Sequence, residues 1–75
     1  MLRLGDYVRA SDANQPSDLD GVYIEDLGHG YILLEGMSGR FVCKLQGAVT
    51  ISDQNVKVIP DAWSHLQRVR RRLQK

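Results

Sequence analysis

The chain of 75 residues is short of most groups on which catalysis and covalent architecture are built. It has one cysteine, Cys43. That excludes a disulfide within the chain and fits a reducing compartment; within an alternating run, Cys43 reads as a small buried hydrophobe. The two histidines, His29 and His65, stand at zinc-ligand spacing neither from each other nor from Cys43. A structural zinc site needs four ligands, so neither a metal nor a cofactor is expected. Gly28-His29-Gly30 lacks the following helix that a phosphate loop requires. The close carboxylates, Asp18 with Asp20 and Glu25 with Asp26, form neither an acid/base pair nor a calcium loop. No apolar run approaches the roughly 20 residues of a membrane span. The N-terminus carries no secretory apolar segment, so the expected location is the cytoplasm, away from membranes. One domain is expected, with a single core worth on the order of 3–5 kcal/mol. A core of that size leaves little room for a deep cleft, and a non-enzymatic protein with no catalytic residue is the expectation.

What the chain does have is alternation. Val22 and Ile24 alternate with Tyr23 and Glu25, and Ile32 and Leu34 alternate with Tyr31, Leu33 and Glu35, the period of half-buried strands. Gly28-His29-Gly30 between them supplies the positive-φ residues of a tight turn, so residues 20–36 predict a hairpin around which the rest is organised. Leu2–Ala10 predicts a first strand, with Leu2, Leu4, Val8 and Ala10 on one face, Arg3, Tyr7 and Arg9 on the other, and a turn or bulge at Gly5-Asp6. Residues 11–19 lose periodicity and predict a mobile loop. After a turn at residues 36–39, Arg40–Leu45 predicts a strand with Phe41, Cys43 and Leu45 inward. Ala48–Ser52 predicts another, with Val49 and Ile51 inward. Val56–Ile59 predicts a last strand stopped by Pro60. Helical period begins only at residue 61. Asp61 is the expected N-cap, Ala62, Leu66, Val69 and Leu73 form the docking stripe with Trp63 at its edge, and Arg68, Arg71, Arg72 and Lys75 lie opposite. The fold class is therefore mostly β: an antiparallel small barrel of about five strands over residues 1–59, with one C-terminal amphipathic basic helix, 61–75, docked on it.

The net charge of +1 conceals a division. Residues 1–37 hold two cations and seven carboxylates, whereas residues 38–75 hold eight cations and two carboxylates. Such halves suit a polar partner, or complementation within or between chains.

Leu4-Gly5-Asp6-Tyr7-Val8-Arg9 resembles the G-D-x-V opening of KOW-type modules, and Asp20-Gly21-Val22-Tyr23-Ile24 resembles their next strand. Together they are similar to the SH3-like small barrels that include KOW and Tudor domains, over roughly residues 2–59. The resemblance implies nucleic-acid or ribosome contact through the loop after the first strand, but Asp12, Asp18 and Asp20 there, with no cation beside them, repel phosphate. A Tudor-like reading implies an aromatic surface from Tyr7, Tyr23 and Tyr31, with Phe41 beside them, that would take a methylated cation.

The basic helix is the strongest candidate site. Arg68, Arg70, Arg71, Arg72 and Lys75 read as contacts to nucleic-acid phosphates. The other reading is a protein–protein adaptor, an inhibitor or a homo-oligomer in which this helix meets an acidic protein surface.

Overall fold

The computed structural model describes residues 1–74. Five strands, β1 (Tyr7–Ser11), β2 (Asp18–Gly28), β3 (Tyr31–Gly36), β4 (Gly39–Lys44) and β5 (Val49–Ile51), form one antiparallel sheet in the order β4-β3-β2-β1-β5. Two helices follow, α1 (Asp53–Val56) and α2 (Ala62–Leu73). Among the described residues no helix is long and apolar enough to cross a membrane.

The predicted hairpin is the centre of this sheet. His29 and Gly30 both have positive φ, 56° and 84°, as a two-residue turn must if its twist is to match the flanking strands. Gly28 N–H donates to the Asp26 carboxylate (2.8 Å), which holds the turn from within. The β2–β3 ladder shifts register between Tyr23 and Glu25 and again between Asp26 and Gly28, and such bulges bend a strand. The bending is large enough that Val8 on β1 and Cys43 on β4, with two strands between them in the sheet, share one core. An isolated bridge from Asp12 to Cys43, and Ala13 N–H donating to the Val42 carbonyl (3.1 Å), carry the chain beyond β1 against β4. One bridge is not a ladder, and the sheet stays open.

Neighbouring residues along the strands feed opposite faces of the sheet. Val8, Ala10, Ile32, Leu34 and Cys43 fill the inside of the curl, with Leu2, Leu19, Tyr23 and Phe41 packed around them. Tyr7 and Val22 face the other way, where Val56 of α1 and Ala62, Leu66 and Val69 of α2 cover them. The sheet is thus buried on both sides at β1 and β2, and Tyr7 and Val8, consecutive in sequence, are both buried.

Several sequence expectations are corrected. Residues Val56–Ile59 are not a strand. Ser52 has extended backbone and its hydroxyl accepts from Asn55 N–H (3.4 Å), so it caps α1. Asp53 in the first turn suits the positive end of the helix. Val56 is buried while Val58 is exposed, so the apparent alternation of these residues belongs to one helical turn and its exit. Helix accordingly begins before residue 61. The first strand starts at Tyr7: Leu4 and Gly5 form a turn and Leu4 is exposed. Gly5 N–H still reaches the Tyr23 carbonyl (3.0 Å), and Tyr23 N–H the Asp6 carbonyl (2.7 Å), so the approach to β1 lies beside β2 without joining the regular ladder. Leu45 and Val49, expected inward, are exposed; Leu45 lies just past the end of β4 and Val49 opens the edge strand β5. The loop expected over 11–19 contracts to 12–17, because Ser11 and Asp18 already pair across β1 and β2. Asp12 N–H donates to Ser17 O (2.8 Å) and Asn14 N–H to the Asp12 carboxylate (2.7 Å), which fastens both sides of the connection.

Candidate functional site

The site is built on α2, and its geometry follows from how that helix is held. Asp61 stands at the N-cap position but in left-handed conformation (φ 65°), and its side chain makes no capping hydrogen bond. Packing holds the helix instead. Ala62, Leu66 and Val69 are buried, with Leu73 and Trp63 partly so, which is the predicted stripe. His65 joins them, although the sequence places it only on the helix flank. Its Nε2 lies 2.9 Å from the Glu35 carbonyl of β3. A carbonyl only accepts, so Nε2 carries the proton.

Ion pairs tie down both flanks. Arg70 donates through both terminal nitrogens to the Asp53 carboxylate (3.0 and 2.9 Å), and its Nε–H donates to the Gly5 carbonyl (3.0 Å). One side chain therefore links α2 to α1 and to the turn before β1. The hydrogen bond from Arg70 holds the Asp53 carboxyl below its ordinary value, and Asp53 in turn raises Arg70. On the other flank Arg72 donates to Glu35 Oε1, and Arg40 Nε–H donates to the same oxygen (3.1 Å). The Arg72 hydrogen bond is the chief cause that lowers the Glu35 carboxyl, with Arg40 assisting against a desolvation cost. The backbone that carries Glu35 crosses β2 closely: a Cβ on Gly21 would stand 2.8 Å from the Glu35 carbonyl oxygen, so Gly21 must be glycine for β3 to sit where α2 can reach it.

Between the flanks, Arg68 and Arg71 are exposed, and among the described residues neither has an ion-pair partner. The five expected contacts therefore divide. Arg68 and Arg71 face solvent together; Arg70 and Arg72 are each bonded to a carboxylate of the body; Lys75 lies outside the described residues. Lys57, on the exit from α1, sits 4.8 Å from the centre of the Trp63 ring, a cation–π contact on the first turn of α2.

The tyrosines are not brought together. Tyr7 is buried under α2, and its hydroxyl donates to the Asp20 carboxylate; burial first and Asp20 second hold the phenol well above its ordinary range. Tyr23 packs into the opposite core, and Tyr31 is exposed beside the hairpin turn. Cys43 is fully buried, with Sγ 3.9 Å from the Ala10 carbonyl, and burial pushes its thiol up to about 11. A thiol held in that state is a poor nucleophile. Among the described residues no three His, Cys, Asp or Glu side chains are grouped to hold a metal ion.

Sequence reasoning missed Glu35, Arg40 and Asp53. Glu35 and Arg40 are directly opposed across the Met37-Ser38 turn, a cross-strand charge pair that the spacing of the hairpin made available. The reach of Arg70 to Asp53 and Gly5 has no local sequence signal. No protein-family model, curated protein or solved structure matches the chain.

Proposed function

We propose that the chain is a non-enzymatic binding module that meets nucleic-acid phosphates through the exposed face of α2, with Arg68 and Arg71 as the principal contacts. One observation carries this reading: Arg68 and Arg71 project together without an acidic partner among the described residues, from a helix whose two flanks are fixed to the sheet and to α1. They lie three residues apart, neighbours on one helix face, and guanidinium groups in that arrangement suit a phosphate backbone without reading base sequence. Lys75 stays in the proposal on its spacing alone, four residues after Arg71. The small-barrel reading also belongs here. The return of β5 to pair with β1 supports it, as does the Asp12–Cys43 bridge, which brings the chain beyond β1 against β4.

The test is a titration of duplex and single-stranded nucleic acid at several salt concentrations. Two phosphate contacts give a log–log salt slope of about −1.8 on duplex, or steeper if further cations join. Arg68→Ala with Arg71→Ala should flatten the slope by about 1.8 without moving the thermal midpoint. Absence of binding at about 50 mM salt, where these contacts are strongest, rejects the reading.

The adaptor reading keeps one specific observation. Asp18, Glu25 and Asp26 are exposed and have no cationic partner among the described residues, so a second copy could offer them to Arg68 and Arg71. In that case sedimentation shows a dimer that the same double substitution dissociates.

A further inference from the structure

The Glu35 carboxylate occupies an unusual position for an acidic group beside a cationic face. Its side chain is only 13% exposed, while the two arginines on its Oε1 are about half exposed, Arg40 at 49% and Arg72 at 51%. The negative charge lies beneath and the positive charge outward. Each guanidinium has five N–H donors, and the bonds to Glu35 engage one from each side chain, Nε of Arg40 and one on Nη2 of Arg72. Among the described residues the others have no hydrogen-bond partner, which leaves them for a ligand. Because both groups bond the same oxygen, they are held side by side, and two positive charges over one carboxylate leave a surplus of one. Arg72 is also one turn beyond Arg68 on α2, and residues four apart share a helix face.

From this geometry we infer that Arg40 and Arg72, splinted by Glu35, form a second phosphate seat that continues the Arg68–Arg71 surface off the helix and onto the start of β4. The inference rests on the nucleic-acid reading above and extends it to a strand residue. Glu35 acts here as a positioning residue. It fixes two long side chains that would otherwise lose rotamer freedom on binding, and it offsets the repulsion between Arg68 and Arg72 at like-charge spacing. A backbone crossing from α2 to β4 would then meet four guanidinium groups in sequence: Arg71, Arg68, Arg72 and Arg40.

The experiment compares Arg40→Ala with Arg9→Ala, which removes the same charge from an exposed position on β1, separated from β4 by two strands in the sheet order. Both are titrated with a duplex between about 50 and 200 mM salt, alongside the unaltered protein and the Arg68→Ala, Arg71→Ala variant. Arg40→Ala is expected to flatten the salt slope by about 0.9, so its affinity changes about 3.5-fold less than that of the parent over this fourfold range of salt. Arg9→Ala should leave the slope unchanged. Thermal midpoints of the variants check that each is folded, and Arg40→Lys, which keeps the charge, should restore most of the slope. If Arg40→Ala leaves the slope unchanged while Arg68→Ala, Arg71→Ala flattens it, the second seat is wrong and the helix reading stands. An equal effect of Arg9→Ala and Arg40→Ala also overturns the seat, because the response then follows total charge. If the unaltered protein fails to bind, the nucleic-acid reading itself falls, and the seat with it.

Discussion

The two faces of the sheet are buried by different means. The inside of the curl is filled by the strands themselves: Val8, Ala10, Ile32, Leu34 and Cys43 meet because β1, β2, β3 and β4 follow one another in the sheet, through the 12–17 connection and two short turns. Each successive strand pair closes over a short connection, which costs little chain entropy, and the curl then brings Ala10 to Cys43. The outer face offers Tyr7 and Val22, and it is covered by residues 56–69, far along the chain. The inner face is thus a product of local pairing, and the outer face depends on α2 returning across the molecule. Because β1 and β2 contribute to both, loss of the helix should be felt on the side it does not touch.

The largest test of this dependence is Leu66→Ala. Leu66 is fully buried, and truncation of such a residue costs about 2–5 kcal/mol, a large share of the stability available to a domain of this size. A marked fall in the thermal midpoint is expected. Labelling of the Cys43 thiol then sharpens the comparison. Cys43 lies in the inner core, so its reaction with a thiol reagent reports opening of that face. If the faces are coupled, Leu66→Ala accelerates labelling in step with the loss of helical signal. Slow labelling alongside a melted helix would show that the inner face stands alone.

His65→Ala removes the ring that holds the Glu35 carbonyl. A buried polar group left without its partner costs about 1–3 kcal/mol, so the effect on chemical denaturation should be smaller than that of Leu66→Ala but still measurable.

Arg70 and Arg71, adjacent in sequence, make a third test. Arg70→Ala breaks a two-pronged ion pair and frees the Gly5 carbonyl; exposed pairs of this kind contribute about 1 kcal/mol at most, and the loss should shrink at high salt. Arg71→Ala touches no described partner and should stay within about 0.5 kcal/mol of the parent. Equal effects in denaturant would erase the distinction between tied and free cations on which the candidate site rests.

Acid provides the mildest perturbation. The carboxyls of Asp53 and Glu35 are both held below their ordinary values of 3.8 and 4.5. In the pH range beneath those values the unfolded chain binds more protons than the folded one, so stability rises with pH there. The contribution is fully present above about pH 5 and is lost as pH falls through the folded values. The thermal midpoint of the parent should therefore fall as pH drops from about 5 to 3, and the double variant Asp53→Asn, Glu35→Gln should fall less. An identical fall in both would show that other carboxylates govern acid stability.

How much of this was legible in the sequence differs from element to element. The hairpin was, because His29 and Gly30 announce their own backbone and Ile32 and Leu34 keep a strict period. The stripe Ala62, Leu66, Val69 on α2 was legible for the same reason. Val56–Ile59 was misread because β-branched residues at alternate positions look like a strand, while the competing signal, Ser52 followed by Asp53 at a helix start, is short and local. The burial of Tyr7 was hidden because alternation shows that a strand has two faces without showing that both are covered. On α2, helical spacing placed Arg68 and Arg71 on the side away from the apolar stripe, and both are exposed there. The division between free and tied arginines was not, since Arg70 and Arg72 find Asp53 and Glu35 only after the chain has folded back 17 and 37 residues.

The open sheet also bears on how the protein behaves at high concentration. An unclosed sheet presents two rows of backbone groups on which another chain can add, the usual first step of strand-templated aggregation. Here one row, on β5, is three residues long. On the other, the chain after β1 already occupies part of β4 through the Ala13–Val42 hydrogen bond and the Asp12–Cys43 bridge. An incoming strand finds little backbone left to copy, so the loop beyond β1 serves as a guard on the edge, and loosening it should hasten precipitation before it lowers the melting point.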